Sequence, residues 1–329
     1  MWTLLREILR LGQASRRIRA ISSDDSLWLQ LNLKGYVPYE LLEKAVENGC
    51  RYLSLAFACL VGGENSKIPL NLSYLEMSQH SDNEPGTLEV HKGLLRNCHS
   101  LQKLAMENLI LDSDDIEDIG NNFKTLKFLD LEDIRIWHIY PNPTKAIKKL
   151  FKRCVELVEI NFSNSWDYES KLFTAMANNL TPKIKKVDLS RNENLKDRHV
   201  KILVQRCNQI SELDLSFASI TNDCVDSIAT HLNSSLEKLD VSYTEIDSTA
   251  LLQLRSVRTL KILHCLNGNH SKVLRGQEKY IRKKFPQLSI NKEEHWFFIA
   301  KSTTNPGSAV EYEDGFWEIK AKAQKSLQK

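Results

Sequence analysis

One phrase, apolar-x-x-apolar-x-apolar, returns along the whole chain and limits what it can fold into more than any other feature. It is plainest in Ile184-Lys-Lys-Val187-Asp-Leu189-Ser190, Ile210-Ser-Glu-Leu213-Asp-Leu215-Ser216 and Leu236-Glu-Lys-Leu239-Asp-Val241-Ser242. Ten copies can be followed, with middle apolar residues Leu53, Leu75, Leu104, Leu129, Ile160, Val187, Leu213, Leu239, Leu263 and Leu288, separated by 22, 29, 25, 31, 27, 26, 26, 24 and 25 residues. Within a phrase the alternation suits a strand. Between phrases the apolar residues take helical spacing, as in His199-Val200-Lys-Ile202-Leu203-Val204 and Leu172-Phe173-Thr-Ala175-Met176. Strand then helix, repeated, makes parallel strands joined by helical crossovers.

A unit of this length cannot bury its own apolar face, so neighbours must stack and share one elongated core. The period is that of leucine-rich repeats. The expected fold is therefore α/β: a horseshoe solenoid of about ten strand-helix repeats with a parallel concave sheet on the order of 45 Å long. Three polar clusters are expected to cap helices: Ser113-Asp114-Asp115, Thr221-Asn222-Asp223 and Asp247-Ser248-Thr249. The two long steps contain Gln79 to Gly86 and Ile136 to Pro143 and read as loop insertions. Trp137 and Tyr140 in the second read as a pair covering their own loop, with partner recognition as the alternative.

A chain of 329 residues with 42% hydrophobic content can bury a large core, and its net charge of +3 gives no bulk attraction to nucleic acid. No run of 18 apolar residues exists, so no membrane span is expected. Cys50, Cys98, Cys154 and Cys207 recur at one repeat position and read as small buried hydrophobes. Parallel side chains on stacked repeats make poor disulfide geometry, and reduced thiols imply cytosol or nucleus. On that reading Asn161-Phe-Ser163 and Asn179-Leu-Thr181 are chance matches to a glycosylation triplet. His264-Cys265 with His270 is a weak metal pattern. No nucleophile-base pair, phosphate loop or zinc framework points to an enzyme, and no cofactor is expected.

Side-chain alternation places Glu76, Ala105, Asp130, Asn161, Asp188, Asp214, Asp240, His264 and Ser289 in one central row of the concave face. Its aspartates read either as a consensus ladder or as the acidic floor of a binding groove. Beside them run Ser163, Ser190, Ser216 and Ser242, then Asn164, Arg191, Phe217 and Tyr243. Arginine and aromatic residues at a groove edge are types enriched at binding hot spots.

The ends break the period. Leu9-Arg-Leu11 and Ile18-Arg19-Ala20-Ile21, leading through Asp24-Asp25 to Leu27-Trp28, resemble the second half of an F-box. At the other end His295-Trp296-Phe297-Phe298-Ile299-Ala300 and Gly315-Phe316-Trp317-Glu318-Ile319-Lys320 resemble the tail of the S-phase kinase-associated members of the cysteine-containing leucine-rich-repeat F-box family, as do Asn222-Asp223-Cys224 and Thr259-Leu260-Lys261. The resemblance spans about residues 9 to 320 and covers roughly half of the F-box module. It implies three segments: a partial F-box-like helical segment or cap over residues 1–33, repeats over 34–291, and a tail over 292–329 packed on the concave face. Residues Trp296, Phe297, Phe298, Phe316 and Trp317 would otherwise leave a large apolar patch in water; a disordered tail that folds on a partner is the alternative.

For function, the resemblance implies a non-catalytic substrate receptor of an SCF (cullin-RING) ubiquitin ligase, in the nucleus and cytoplasm, with a role in cell-cycle control. Its implied partners are the SCF adaptor, the cullin scaffold, a protein substrate carrying phosphate or not, and a small cyclin-kinase-subunit accessory protein. Leu9, Leu11, Ile18, Ile21 and Trp28 would face the adaptor or pack its helix; a solenoid cap is the alternative. Asp188, Arg191, Asp214, Phe217, Asp240, Tyr243, Trp296 and Trp317 would meet substrate or accessory protein. The resemblance leads one to expect charged residues where Phe217 and Tyr243 stand. With Arg191 the one obvious phosphate partner, any phosphate specificity is expected to be shared with the accessory protein. Two other readings stay open: a non-ligase repeat scaffold, and an organellar one, since Arg6, Arg10, Arg16, Arg17 and Arg19 look like a mitochondrial transit peptide.

Overall fold

The computed structural model describes residues 28–291, apart from 57, 63–68, 79–93, 137–142, 166–168 and 267–273. Eleven strands form one sheet in strict chain order. They run from Gln30–Asn32 through Tyr52–Ser54, Tyr74–Ser78, Lys103–Glu107, Phe128–Asp130, Glu159–Asn161, Lys186–Asp188, Glu212–Asp214, Lys238–Asp240 and Ile262–His264 to Ser289–Ile290. Every neighbouring pair is parallel, and the middle leucine, isoleucine or valine of each strand faces its counterpart in the next. The repeat architecture is thus the one the phrase demands.

Two details of register differ from expectation. The sheet gains a strand before the first phrase, where Leu31 pairs with Leu53. At the far end Ile290, not Leu288, pairs with Leu263. The last phrase is one residue short: the amide of Leu288 donates to the carbonyl of Phe285, as that of Ile210 does to Cys207, so Leu288 is the turn residue before the strand. Ser289 consequently leaves the central row.

Helices form the outer layer: α1 (Tyr39–Glu47), α2 (Ser113–Asn122), α3 (Pro143–Arg153), α4 (Ser170–Asn179), α5 (Asp197–Arg206), α6 (Val225–His231), α7 (Ser248–Leu251) and α8 (Leu274–Lys284). Local chemistry explains their starts. Asp112, one residue earlier than expected, caps α2 in a reciprocal box with Asp115. Thr221 accepts from the amide of Asp223, and Asp247 accepts from those of Thr249 and Ala250. Helix α3 begins on Pro143, whose missing N–H costs nothing there, and ends on Lys152 and Arg153, the sign its C-terminal dipole favours. Its Ala146, Ile147, Leu150 and Phe151 are buried.

The core is one continuous cluster from Trp28 to Ile290. All seven cysteines are free thiols, five of them buried. Cys154 donates to the carbonyl of Phe123, and Cys207 to that of Thr181, so each thiol bridges to the preceding repeat. Burial pushes Cys98, Cys154 and Cys207 up to about 12. Asn192, fully buried, accepts from the amide of Ser165 and donates to the carbonyls of Phe162 and Leu189. No helix among the described residues is long and apolar enough to cross a membrane.

Candidate protein-docking surface

Four successive strands end in the same local turn. The Oδ1 of Asn161, Asp188, Asp214 and Asp240 accepts the amide two residues ahead, from Ser163, Ser190, Ser216 and Ser242, at 2.8–3.0 Å. The carboxylates read from sequence either as a consensus ladder or as an acidic floor are therefore turned into their own backbone. Asp188, Asp214 and Asp240 are buried, at 6%, 7% and 1% exposure, and so are the serines beside them. An Asx turn consumes one oxygen of each, and burial leaves little of the rest to water. Desolvation dominates their electrostatics. Burial, with Glu132 and Asp240 nearby, raises Asp188 to about 6 against the bonds from Ser190. Asp214 is pushed well up by burial and by Asp188 and Asp240. His264 closes the row, its Nδ1 3.4 Å from Asp240 Oδ2.

One residue beyond the serines the backbone does something unusual. Asn164, Arg191, Phe217 and Tyr243 occupy equivalent positions in four successive repeats, all with φ between 57° and 60°, as Asn108 and Asp133 do at 54° and 51° in the two repeats before them. A left-handed conformation costs a non-glycine residue about 1 kcal/mol or more. The parallel ladder compels it: their amides donate to the carbonyls of Ser190, Ser216, Ser242 and Leu266 at 2.6–2.9 Å. As a result three long side chains stack along the rim. Phe217 and Tyr243 lie 4.2 Å apart between centroids at 16° between planes, and the Arg191 guanidinium sits 5.1 Å from the Phe217 centroid. Phe217 and Tyr243 are 43% and 40% exposed and Arg191 is exposed. The sequence-derived edge residues are thus brought together as one surface.

The strand position just before the middle apolar residue carries Glu159, Lys186, Glu212 and Lys238, which sequence reasoning passed over. Lys186 lies 3.3 Å from Glu159 and 3.7 Å from Glu212, and Lys238 lies 3.4 Å from Glu212. The alternation of sign at one repeat position was the available signal. Although burial pulls it down, Lys186 is raised by Glu159 and Glu212 on either side. These lysines are neutralised, so on the adjoining rim Arg191 is the cation whose charge faces outward without a carboxylate among the described residues.

Further along the sheet Glu107, Asp130 and Glu132 bring carboxylate oxygens within 4.8 Å of one another. Such hard oxygens match a divalent cation. Burial, then Glu107, pushes Asp130 well above the ordinary carboxylate range. Trp28 is buried in the core, three residues before Leu31, at the phrase position that Ile184 and Ile210 take in later repeats. Leu9, Leu11, Ile18, Ile21, Trp137, Tyr140, His270, Trp296 and Trp317 lie outside the described residues, as do residues 79–86 and the tail at 292–329.

Comparison with known proteins adds two findings. A family model described as the SKP2 LRR domain matches residues 40–324. Among solved structures, an internalin from Listeria monocytogenes aligns with a TM-score of 0.46 at 14% identity, over 75% of this chain and 68% of that one.

Proposed function

Because the chain belongs to the SKP2 LRR domain family, we propose that it is a non-catalytic substrate receptor of an SCF (cullin-RING) ubiquitin ligase, in nucleus and cytoplasm, which holds a protein on the rim of its concave face. The observation that carries the reading is the Arg191–Phe217–Tyr243 stack. The left-handed position recurs in six successive repeats from Asn108 to Tyr243, and in three of them it carries an outward arginine and two half-exposed aromatic rings held in fixed register. A rigid aromatic pair loses little side-chain entropy on binding, and such residues dominate interface energetics.

In this reading the ligase works by proximity: one end holds the adaptor and cullin, the rim holds the substrate, and a separate enzyme supplies the chemistry. Asp188, Asp214 and Asp240 act on the substrate through the shape of the turn they hold. Arg191 takes a substrate phosphate together with an accessory protein of the cyclin-kinase-subunit type, because Lys186 and Lys238 are already paired. Leu9, Leu11, Ile18 and Ile21 face the adaptor, and Trp296 and Trp317 complete the docking surface from the tail. The test is co-purification of the tagged chain from cells, with Phe217→Ala/Tyr243→Ala beside it. Adaptor and cullin are expected with both forms and a distinct substrate set with the unmodified chain alone; an identical set from both would overturn the rim as the docking site.

A second reading is favoured by Trp28, which is buried in the repeat core as part of the first strand's own phrase. The chain is then a protein-binding repeat scaffold without ligase activity. Absence of adaptor and cullin from the purified material, with rim-dependent partners retained, would establish it.

A further inference from the structure

The outer face carries a second charged surface, on the opposite side of the solenoid from the rim. Helix α3 bears Lys145, Lys148, Lys149, Lys152 and Arg153 and no acidic residue, and α4 bears Lys171 and no acidic residue. Between them lies a groove of about 470 Å³ lined by Thr144, Lys148, Lys152, Lys171, Thr174 and Asn178. It opens past Lys152 into a second recess of about 630 Å³, flanked by Lys183 and Arg206. Several of these cations are engaged: Lys149 with Glu117, Lys183 with Glu156, and Lys171, loosely, with Glu169 at 3.7 Å. The Arg206 Nε donates to the carbonyl of Leu180. Lys148 and Lys152 are exposed, point along one helix ridge, and pair with no acid among the described residues.

Spacing selects the ligand. Residues four apart on a helix ridge stand about 6 Å apart along its axis, and alternate residues of an extended chain stand about 6.6–6.8 Å apart. We propose that the α3–α4 groove docks an extended acidic peptide segment of a partner protein, with carboxylates at alternate positions meeting Lys148 and Lys152 and its backbone running between the helices beside Thr174 and Asn178. A membrane surface fits less well, because among the described residues Val155 is the one large exposed apolar side chain bordering the recess. Single-stranded nucleic acid fits less well too, since no exposed aromatic ring among the described residues lines the groove for a base to stack on.

The test is fluorescence anisotropy of the full chain with a labelled (Glu-Ser)6 peptide at low and moderate salt, with (Gln-Ser)6 as the uncharged control. Lys148→Glu/Lys152→Glu should weaken binding at least tenfold, and the matched pair Lys279→Glu/Lys283→Glu on α8 should leave it unchanged. Both sites are exposed, so circular dichroism should show folded protein in each case. Equal binding by Lys148→Glu/Lys152→Glu, or by (Gln-Ser)6, would overturn the proposal. Tighter, Lys148-dependent binding of a 12-nucleotide RNA or of phosphatidylserine vesicles would overturn it in favour of that polyanion.

Discussion

Replacing Asp188 by asparagine should stabilise the protein at neutral pH and do almost nothing in acid. Asparagine keeps an Oδ1 for the Ser190 amide, which bonds Asp188 at 2.9 Å, and its amide nitrogen can donate to the Ser190 hydroxyl. What it removes is a negative charge held by burial against Glu132 and Asp240. The folded-state value is about 6 and the unfolded value 3.8. Between those limits the folded chain binds the extra proton, so stability falls as pH rises through the window, and above about 6 the whole penalty is present. At 1.36 kcal/mol per pKa unit the difference corresponds to about 3 kcal/mol. Urea unfolding of both forms at pH 7.5 and pH 4 should therefore show Asp188→Asn gaining about 2–3 kcal/mol on the parent between the two conditions. A gap that does not change with pH, or an asparagine variant weaker at pH 7.5, would mean that Asp188 ionises normally and that the central row is solvated.

Arg191→Gly should separate folding from binding: relief of about 1 kcal/mol of left-handed cost is offset by about 0.5–1 kcal/mol of glycine chain entropy, so melting should change little, while partner capture in a pull-down falls. Gly120→Ala should destabilise the protein by about 1–3 kcal/mol in urea although alanine is the better helix former, because the new Cβ would meet the backbone Cα of Leu150 at 3.0 Å. Asn192→Ala strips partners from the Ser165 amide and the Phe162 and Leu189 carbonyls and should cost about 3 kcal/mol or more, read the same way. With burial holding Cys98, Cys154 and Cys207 near 12, a thiol reagent at pH 8 should label Cys59 and Cys265, the half-buried pair, well before these three, and the three only after urea is added.

Period and alternation carried most of the fold, because a repeat leaves its core position visible in every copy. Nine of the ten middle residues named from sequence are the ones that pair in the sheet. The failures came at the two ends. Ser289–Ile290 is a residue short, so Leu288 looked like the core residue it precedes, while Trp28-Leu-Gln-Leu31-Asn-Leu33 carries the phrase in full yet also reads as the end of the F-box-like segment. Helix starts were legible to within a residue, since Asp112 and Ser113 are chemically equivalent caps.

The site was less legible, for a reason of scale. Alternation correctly put Asp188, Asp214 and Asp240 on the face opposite the core, but whether a carboxylate opens to water or folds onto the amide two residues on is decided by backbone torsions that a pattern of apolar residues does not encode. Arg191, Phe217 and Tyr243 were singled out by residue type, yet nothing about arginine, phenylalanine or tyrosine announces a left-handed backbone; Asn164 alone among the four favours it. The Glu159–Lys186–Glu212–Lys238 ladder was readable from the repeat register and needed only the neighbouring column to be aligned.

The central claim is that this solenoid presents bound protein to a ligase, and it is tested most directly by titrating the purified 329-residue chain with the purified SCF adaptor by calorimetry. The account predicts a stable one-to-one complex, weakened by Leu11→Asp and untouched by Phe217→Ala/Tyr243→Ala. Absence of heat and of co-elution, from a chain that circular dichroism shows to be folded, would contradict it and leave a repeat scaffold whose rim binds protein for some other purpose.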